Sequence, residues 1–253
     1  MTAVFPVPMT LRSALAAGLC DAQAVLADLD GCLISGDVVL EGAAELIART
    51  KGRLWIVSNN STDTAESLSA RLAGLGLHLP PDRIVLAGEQ TLERLSHGKP
   101  GLRLALYAGA RMHARARALG LVIDHMQPEL VVLARDEGFT FAALQELAGL
   151  VHRGLPLWIT NADVSHPGPD GTPLPETGAL LAAVRAMVPG CRAMSIGKPA
   201  PDLVHVALSR AGVDPSCAVF VGDTPATDGV AAGRAGLRFV HIAPPGTKDG
   251  GNE

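Results

Sequence analysis

Five polar residues sit where short apolar runs of the chain stop, and two more accompany them. "AVLADLDG" delivers Asp28 and Asp30, "RLWIVSNN" delivers Ser58 and Asn59, "CAVFVGD" delivers Asp223 with Asp228 just beyond it, and "SIGKP" adds Lys198. Two carboxylates separated by one leucine repel each other, and burial penalises both charges, so the pattern calls for a compensating cation. A metal ion or a lysine fits that requirement, and a phosphate-bearing substrate would share the same cation. Carboxylate oxygens suit Mg²⁺, which usually keeps several waters and shares a substrate phosphate. An aspartate can attack phosphorus and divide the reaction into two easier steps. A second carboxyl group can protonate the leaving oxygen and then deprotonate the attacking water. Lysine with hydroxyl or amide donors would neutralise the phosphoryl oxygens.

These groups converge only if the apolar runs are neighbouring parallel strands, because open α/β sheets bind ligands beyond the carboxyl ends of their strands. The alternation of apolar runs with helix-like segments predicts that architecture. Strands are expected at 24–28, 53–58, 217–223 and 237–242, with "TAESLSARLAGLG" and "PDLVHVALSRAGV" as covering helices. A second block of the same kind follows in "LRLALYAG", "LGLVI", "ELVVLA" and "LPLWIT". Its helix carries Phe141, Leu144, Leu147 and Leu150 on one side, a core stripe. Proline and glycine clusters in "NADVSHPGPDGTPLPETG" mark turns. The reading is a domain of residues 83–177 inserted into a core made of 1–82 and 178–253.

Composition narrows the classes. With 48% hydrophobic and 18% charged residues, the chain of 253 is globular rather than disordered. A formal charge of −4 gives no electrostatic reason to expect nucleic acid or an anionic membrane as partner. No apolar run reaches the roughly 18–20 residues that span a bilayer. Cys20, Cys32, Cys191 and Cys217 are scattered, without metal-ligand or disulfide spacing, which fits a reducing compartment. The N-terminus lacks a basic stretch and is interrupted by Pro6 and Pro8, so a cytoplasmic chain is expected rather than an exported one. Cys32, beside the acidic pair, is read as a small packing residue.

Five motifs in order, "DLDGCLISG", "VSNNST", "ITNAD", "GKPAPD" and "GDTPATD", resemble the haloacid dehalogenase superfamily. The insertion between "SNNST" and "GKP" is similar to that of its subclass IIA phosphatases, and the resemblance runs from about residue 22 to about residue 242. It implies an α/β fold: a doubly wound parallel-sheet core with an inserted C2-type α/β cap. It further implies Mg²⁺-dependent hydrolysis of small phosphomonoesters through an aspartyl-phosphate.

By that resemblance Asp28 is the nucleophile and a metal ligand. Asp30 is the acid/base and lends its carbonyl to the metal, and Asp223 is a further metal ligand. Ser58, Asn59 and Lys198 bind phosphate, Asp228 supports the lysine, and Asn161 and Asp163 either pin the hinge or touch substrate. Gly31 and Gly36 fit a tight turn and a flap hairpin. The resemblance implies a small phosphorylated metabolite as partner and allows a homodimer. The chain departs from the family at Thr224, Pro225, Ala162 and "PETG", positions that bear on the leaving group rather than the chemistry. Two alternatives stay open: a phosphotransferase or mutase using the same aspartates, and a non-catalytic phosphometabolite-binding protein.

Overall fold

The computed structural model describes residues 5–168 and 172–243, so part of the turn region expected in "PGPDG" lies outside the described residues. The chain divides into two compact units, one of residues 1–58, 65–85 and 198–253, the other of 59–64 and 86–197.

The first unit is built on a five-stranded sheet in the order Arg238–His241, Ala218–Gly222, Ala24–Ala27, Leu54–Ser58, Ile84–Leu86. The pairings joining the first four strands of that order are parallel. Ala24–Ala27, Leu54–Ser58 and Ala218–Gly222 are buried at every position. That explains why they read as unbroken apolar runs rather than alternating ones: both faces of the sheet are covered. The first strand of the chain is central, the next two lie to one side and the last two to the other. The winding direction therefore reverses between Ala24–Ala27 and Ala218–Gly222, the point where α/β sheets open a crevice. Helices Ala65–Gly74 and Asp202–Ala211 bury Leu68, Leu72, Leu203, Val204 and Leu208. Beyond the central strand, Ile34–Ser35 and Val38–Val39 form an antiparallel hairpin turned at Gly36, whose φ is +57°.

The second unit has its own parallel sheet, in the order Ala193–Met194, Leu157–Ile159, Leu130–Leu133, Arg103–Tyr107, Val122–Ile123. Alternate residues of its strands feed two cores. Leu104, Leu106, Leu130 and Val132 pack with Leu92, Leu95, Met112 and Ala116 on one face. Ala105, Tyr107, Val131 and Leu133 pack with Leu147, Leu150, Leu181 and Val184 on the other.

Three expectations are corrected here. Ile84–Leu86, placed inside the insertion from sequence, is a strand of the first unit's sheet. At the other end the second unit continues past residue 177 to 197. Helix Thr177–Met187 gives Leu181 and Val184 to its core, and Ala193–Met194 pairs with Leu157–Trp158. The stripe on helix Phe141–His152 holds for Leu147 and Leu150 but not for Phe141, which is 84% exposed. Phe141 opens the helix directly after the Thr140 cap, so it has no preceding turn to pack against. Among the described residues, no helix is long and apolar enough to cross a membrane.

Candidate active site

Strand register places the acidic residues. Ala27 pairs with Ile56 on one neighbour and Val221 on the other, and the Asp28 N–H donates to the Val221 carbonyl at 2.9 Å. Asp28 is thus the first residue past the central strand, Asp223 the first past Ala218–Gly222, and Ser58 the last of Leu54–Ser58. All three stand at carboxyl ends of adjacent strands, and Asp28 and Asp223 flank the switch point itself.

Lys198 ties this group together. Its Nζ donates to Asp28 Oδ1 at 2.7 Å and to Asp228 Oδ1 at 2.7 Å, and lies 5.6 Å from the centre of the Phe220 ring. Lys198 is only 2% exposed and Asp228 0%, so water cannot substitute for these contacts. Burial alone would strip the lysine of its proton, but the carboxylates of Asp228 and Asp28 outweigh it and push the pKa up, so an ammonium stands here at neutral pH. Asp228 is aimed by a wide π-type turn, Pro225–Gly229, in which its N–H and that of Thr227 both reach the Thr224 carbonyl. Its second oxygen accepts from the Thr224 N–H at 3.1 Å.

Asp28, Asp223 and Asp228 each offer a carboxylate oxygen, all within 4.8 Å of one another. Three carboxylates against one ammonium leave an excess of negative charge, and burial, then Asp28, pushes Asp223 up to about 6. A hard divalent cation with oxygen preference fits that set. Both oxygens of Asp228 are already engaged, so Asp28 and Asp223 are the better ligands. Two glycines make the approach possible. Gly31 has φ +79°, and a Cβ there would lie 2.1 Å from Asp223 Oδ2; a Cβ on Gly222 would lie 2.2 Å from Asp228 Oδ2. Any side chain at either position would displace a carboxylate of the cluster.

Asp30 lies one turn residue further on. It is exposed, forms a bridge with Ile34, and its carboxylate is not in the three-acid cluster. Cys32 is buried, its Sγ 3.8 Å from the Val221 carbonyl. Burial, then Asp28, Asp223 and Asp228, pushes its thiol far up, so no thiolate forms beside the acids.

Asn59, Asn161 and Asp163 meet within the second unit. Asn59 Nδ2 donates to Asp163 Oδ2 at 2.9 Å, and Asn161 Nδ2 donates to the Asn59 carbonyl at 2.9 Å and to Thr177 Oγ1 at 3.3 Å. The Asn59 amide, assigned to phosphate by the resemblance, therefore has a carboxylate partner. Sequence reasoning quoted Ser61 and Gly222 within the motifs "VSNNST" and "GDTPATD" without giving either a role, and did not reach Asp63. For Gly222 the signal was its place directly before Asp223; Asp63 carried none.

The family model described as Haloacid dehalogenase-like hydrolase matches residues 25–122, and a HAD-hydrolase-like model matches residues 195–248. A dihydroxyacetone phosphatase of Corynebacterium glutamicum is 31% identical over 230 residues, 86% of this chain and 79% of that protein. An acid sugar phosphatase of Staphylococcus aureus is 31% identical over 224 residues, covering 87% and 86%. Among solved structures, a 4-nitrophenylphosphatase of Thermotoga maritima matches with a TM-score of 0.83 at 27% identity, over 91% of this chain and 89% of that one. A glycerol phosphate phosphatase of Mycobacterium tuberculosis, in complex with magnesium, matches at 0.80 and 27% identity, over 88% and 69%. The buried lysine between two aspartates and these matches along most of the chain lead to one assignment: the chain belongs to the haloacid dehalogenase-like hydrolases, in their subclass IIA branch.

Proposed function

We propose that this protein is a Mg²⁺-dependent phosphomonoesterase that cleaves small phosphorylated metabolites through an aspartyl-phosphate at Asp28. The observation that carries the reading is Lys198, whose Nζ donates to Asp28 Oδ1 at 2.7 Å beside the carboxylate oxygens that Asp28 and Asp223 bring together. The names of the relatives, phosphatases of dihydroxyacetone phosphate and sugars, favour a hydroxylated small leaving group.

Asp28 attacks phosphorus while the bond to the leaving oxygen breaks, and Asp30 gives that oxygen its proton. Asp30, exposed and outside the three-acid cluster, then takes a proton from water as that water attacks the aspartyl-phosphate, which frees inorganic phosphate and restores Asp28. The Lys198 ammonium orients Asp28 throughout and balances charge on the phosphoryl oxygens, to which the Ser58 hydroxyl donates. Asp28 and Asp223, with the Asp30 carbonyl, would hold Mg²⁺, which when bound draws charge from the phosphoryl oxygens. The second unit, residues 59–64 and 86–197, is taken as the cap that limits the size of the leaving group. A cytoplasmic location goes with the scattered, unpaired cysteines.

The test is phosphate release from glycerol phosphate, dihydroxyacetone phosphate, sugar phosphates, phosphoglycolate, nucleotides and 4-nitrophenyl phosphate, with and without Mg²⁺. Metal-dependent release lost in Asp28→Ala supports the reading. Phosphate that reappears on another hydroxyl of the substrate, instead of in solution, would make the enzyme a transferase.

A further inference from the structure

The strand Arg238–His241 lies at one edge of the first unit's sheet, and residues 5–9 pack against its end. Met9 pairs in parallel with Ile242: its N–H donates to the His241 carbonyl at 3.0 Å, and its carbonyl accepts from the Ala243 N–H at 2.9 Å. Pro6 and Pro8 have no N–H, so this added edge offers few donors to another chain. The Phe5 ring meets Phe239 edge-on with centroids 6.4 Å apart, and a Cβ on Gly229 would lie 2.7 Å from Phe5 Cε1. Gly229 ends the turn that aims Asp228. Phe239 in turn stacks on His241, with centroids 6.0 Å apart and an angle of 22°. The His241 ring lies between two carbonyls, Nδ1 3.2 Å from that of Pro6 and Nε2 3.2 Å from that of Asp223. Carbonyl oxygens only accept, so a ring nitrogen that carries a proton donates to the carbonyl it faces. Gly222 is the last residue of its strand to pair with the edge strand, opposite His241, and its carbonyl accepts from the Ile242 N–H at 2.8 Å. One residue later the ladder has ended, and a side chain takes over at the Asp223 carbonyl.

We propose that His241 is a positioning residue for the metal ligand Asp223, with its ring seated by residues 5–9. The inference rests on the metal-dependent phosphatase reading above, in which Asp223 holds Mg²⁺. The backbone of Asp223 has left the sheet and is entering the turn Pro225–Gly229. Within that loop Asp223 Oδ1 accepts from the Thr224 hydroxyl at 3.2 Å, an exposed contact that moves with the loop rather than fixing it. The His241 contact instead ties the Asp223 main chain to the edge strand, and Phe239 and Pro6 set where the ring stands. Mg²⁺ demands near-octahedral geometry at about 2.0–2.1 Å, so a shift of the Asp223 backbone costs metal affinity. His241 reaches the carboxylate through the main chain, so it positions the ligand and is not one itself.

The experiment adds Mn²⁺ to the metal-free enzyme and follows its binding by electron paramagnetic resonance, with Mg²⁺ as competitor. The Mg²⁺ dependence of turnover and the melting temperature without metal are measured alongside. His241→Leu is expected to raise the dissociation constants of both ions by roughly three- to tenfold, the loss of one net hydrogen bond, with a smaller change in kcat at saturating Mg²⁺. His241→Gln, whose amide N–H stands where Nε2 stands, should restore most of the affinity. His241→Asn, whose amide stands where Nδ1 stands, should keep the Pro6 contact yet bind metal as weakly as His241→Leu. Should His241→Leu fail to fold, the Gln and Asn variants carry the same comparison. Phe5→Ala should raise the same constants by loosening the seat of the ring, and an unchanged constant there would overturn the part given to residues 5–9. Unchanged metal constants in His241→Leu with a lowered melting temperature would overturn the proposal in favour of a purely structural role. His241→Gln as weak as His241→Leu would overturn it as well, because the effect would not run through Nε2. Wild type that binds neither ion would refute the metal-dependent reading and this inference with it; a wild type that binds both, with unaffected variants, refutes this inference alone.

Discussion

Lys198→Met keeps the apolar stem of the side chain and removes the ammonium that two buried carboxylates depend on. Each of the two 2.7 Å contacts is a hydrogen bond between charged groups, about 1.5–3 kcal/mol apiece. Removing one partner of a buried ion pair costs about 3–5 kcal/mol, because the remaining charge stays desolvated. Asp28 retains some contact with solvent and Asp228 can take up a proton, so the lower end applies, about 3 kcal/mol at neutral pH. The loss should depend on pH in a defined sense. Burial, reinforced by Asp28, already pushes Asp228 above its ordinary value, and without the lysine it rises further. A carboxyl whose folded-state pKa is raised destabilises the fold above that pKa and ceases to do so as pH falls toward the unfolded value. The deficit of Lys198→Met should therefore shrink on acidification. The chain has two tryptophans, Trp55 in the first unit and Trp158 in the second. Urea unfolding in metal-free buffer, followed by Trp55 fluorescence in a Trp158→Phe background, reads the affected unit alone. An unchanged midpoint, or a deficit of the same size from neutral to acidic pH, would refute the argument.

Gly31→Ala should raise the Mg²⁺ concentration needed for half-maximal activity, because the new Cβ would fall 2.1 Å from Asp223 Oδ2 and the backbone there has φ +79°. A Mg²⁺ titration of turnover checks it, and an unchanged midpoint counts against Asp223 as a ligand. Cys32 should resist iodoacetamide in the folded enzyme while Cys191 and Cys217, both partly exposed, are alkylated. Peptide mapping that finds Cys32 labelled as fast as Cys217 would contradict its packing role.

The site was legible in sequence to the extent that strand ends carry it. A fully buried parallel strand must be apolar throughout, so its first polar residue marks the carboxyl end, and Asp28, Ser58 and Asp223 stand there. Lys198 lies on no strand and carried no local signal; its place followed from the family motif, and its two 2.7 Å contacts come only from the fold. The unit boundary was misread because Thr177–Met187 has an apolar stripe that would serve either sheet, and because Ile84–Leu86 is too short to declare which sheet it joins. Phe141 followed the helical period but begins its helix, where a period has nothing to pack against. Asn59–Thr62 stand in the motif "VSNNST", but the side-chain partners of this segment were not legible. Asn59–Thr64 is wholly polar, without periodicity, and its partners Arg111, Arg135 and Asp163 are far away in sequence.

The central claim is that phosphate passes through Asp28, and the most direct measurement is acid quench of the enzyme during its first turnover with a labelled ester, followed by peptide mapping. A phosphoryl group on the peptide containing Asp28, formed and lost at rates compatible with turnover and absent from Asp28→Asn, is the predicted result. Turnover with the label on another residue, or with no labelled enzyme at any quench time and undiminished activity in Asp28→Asn, would contradict it.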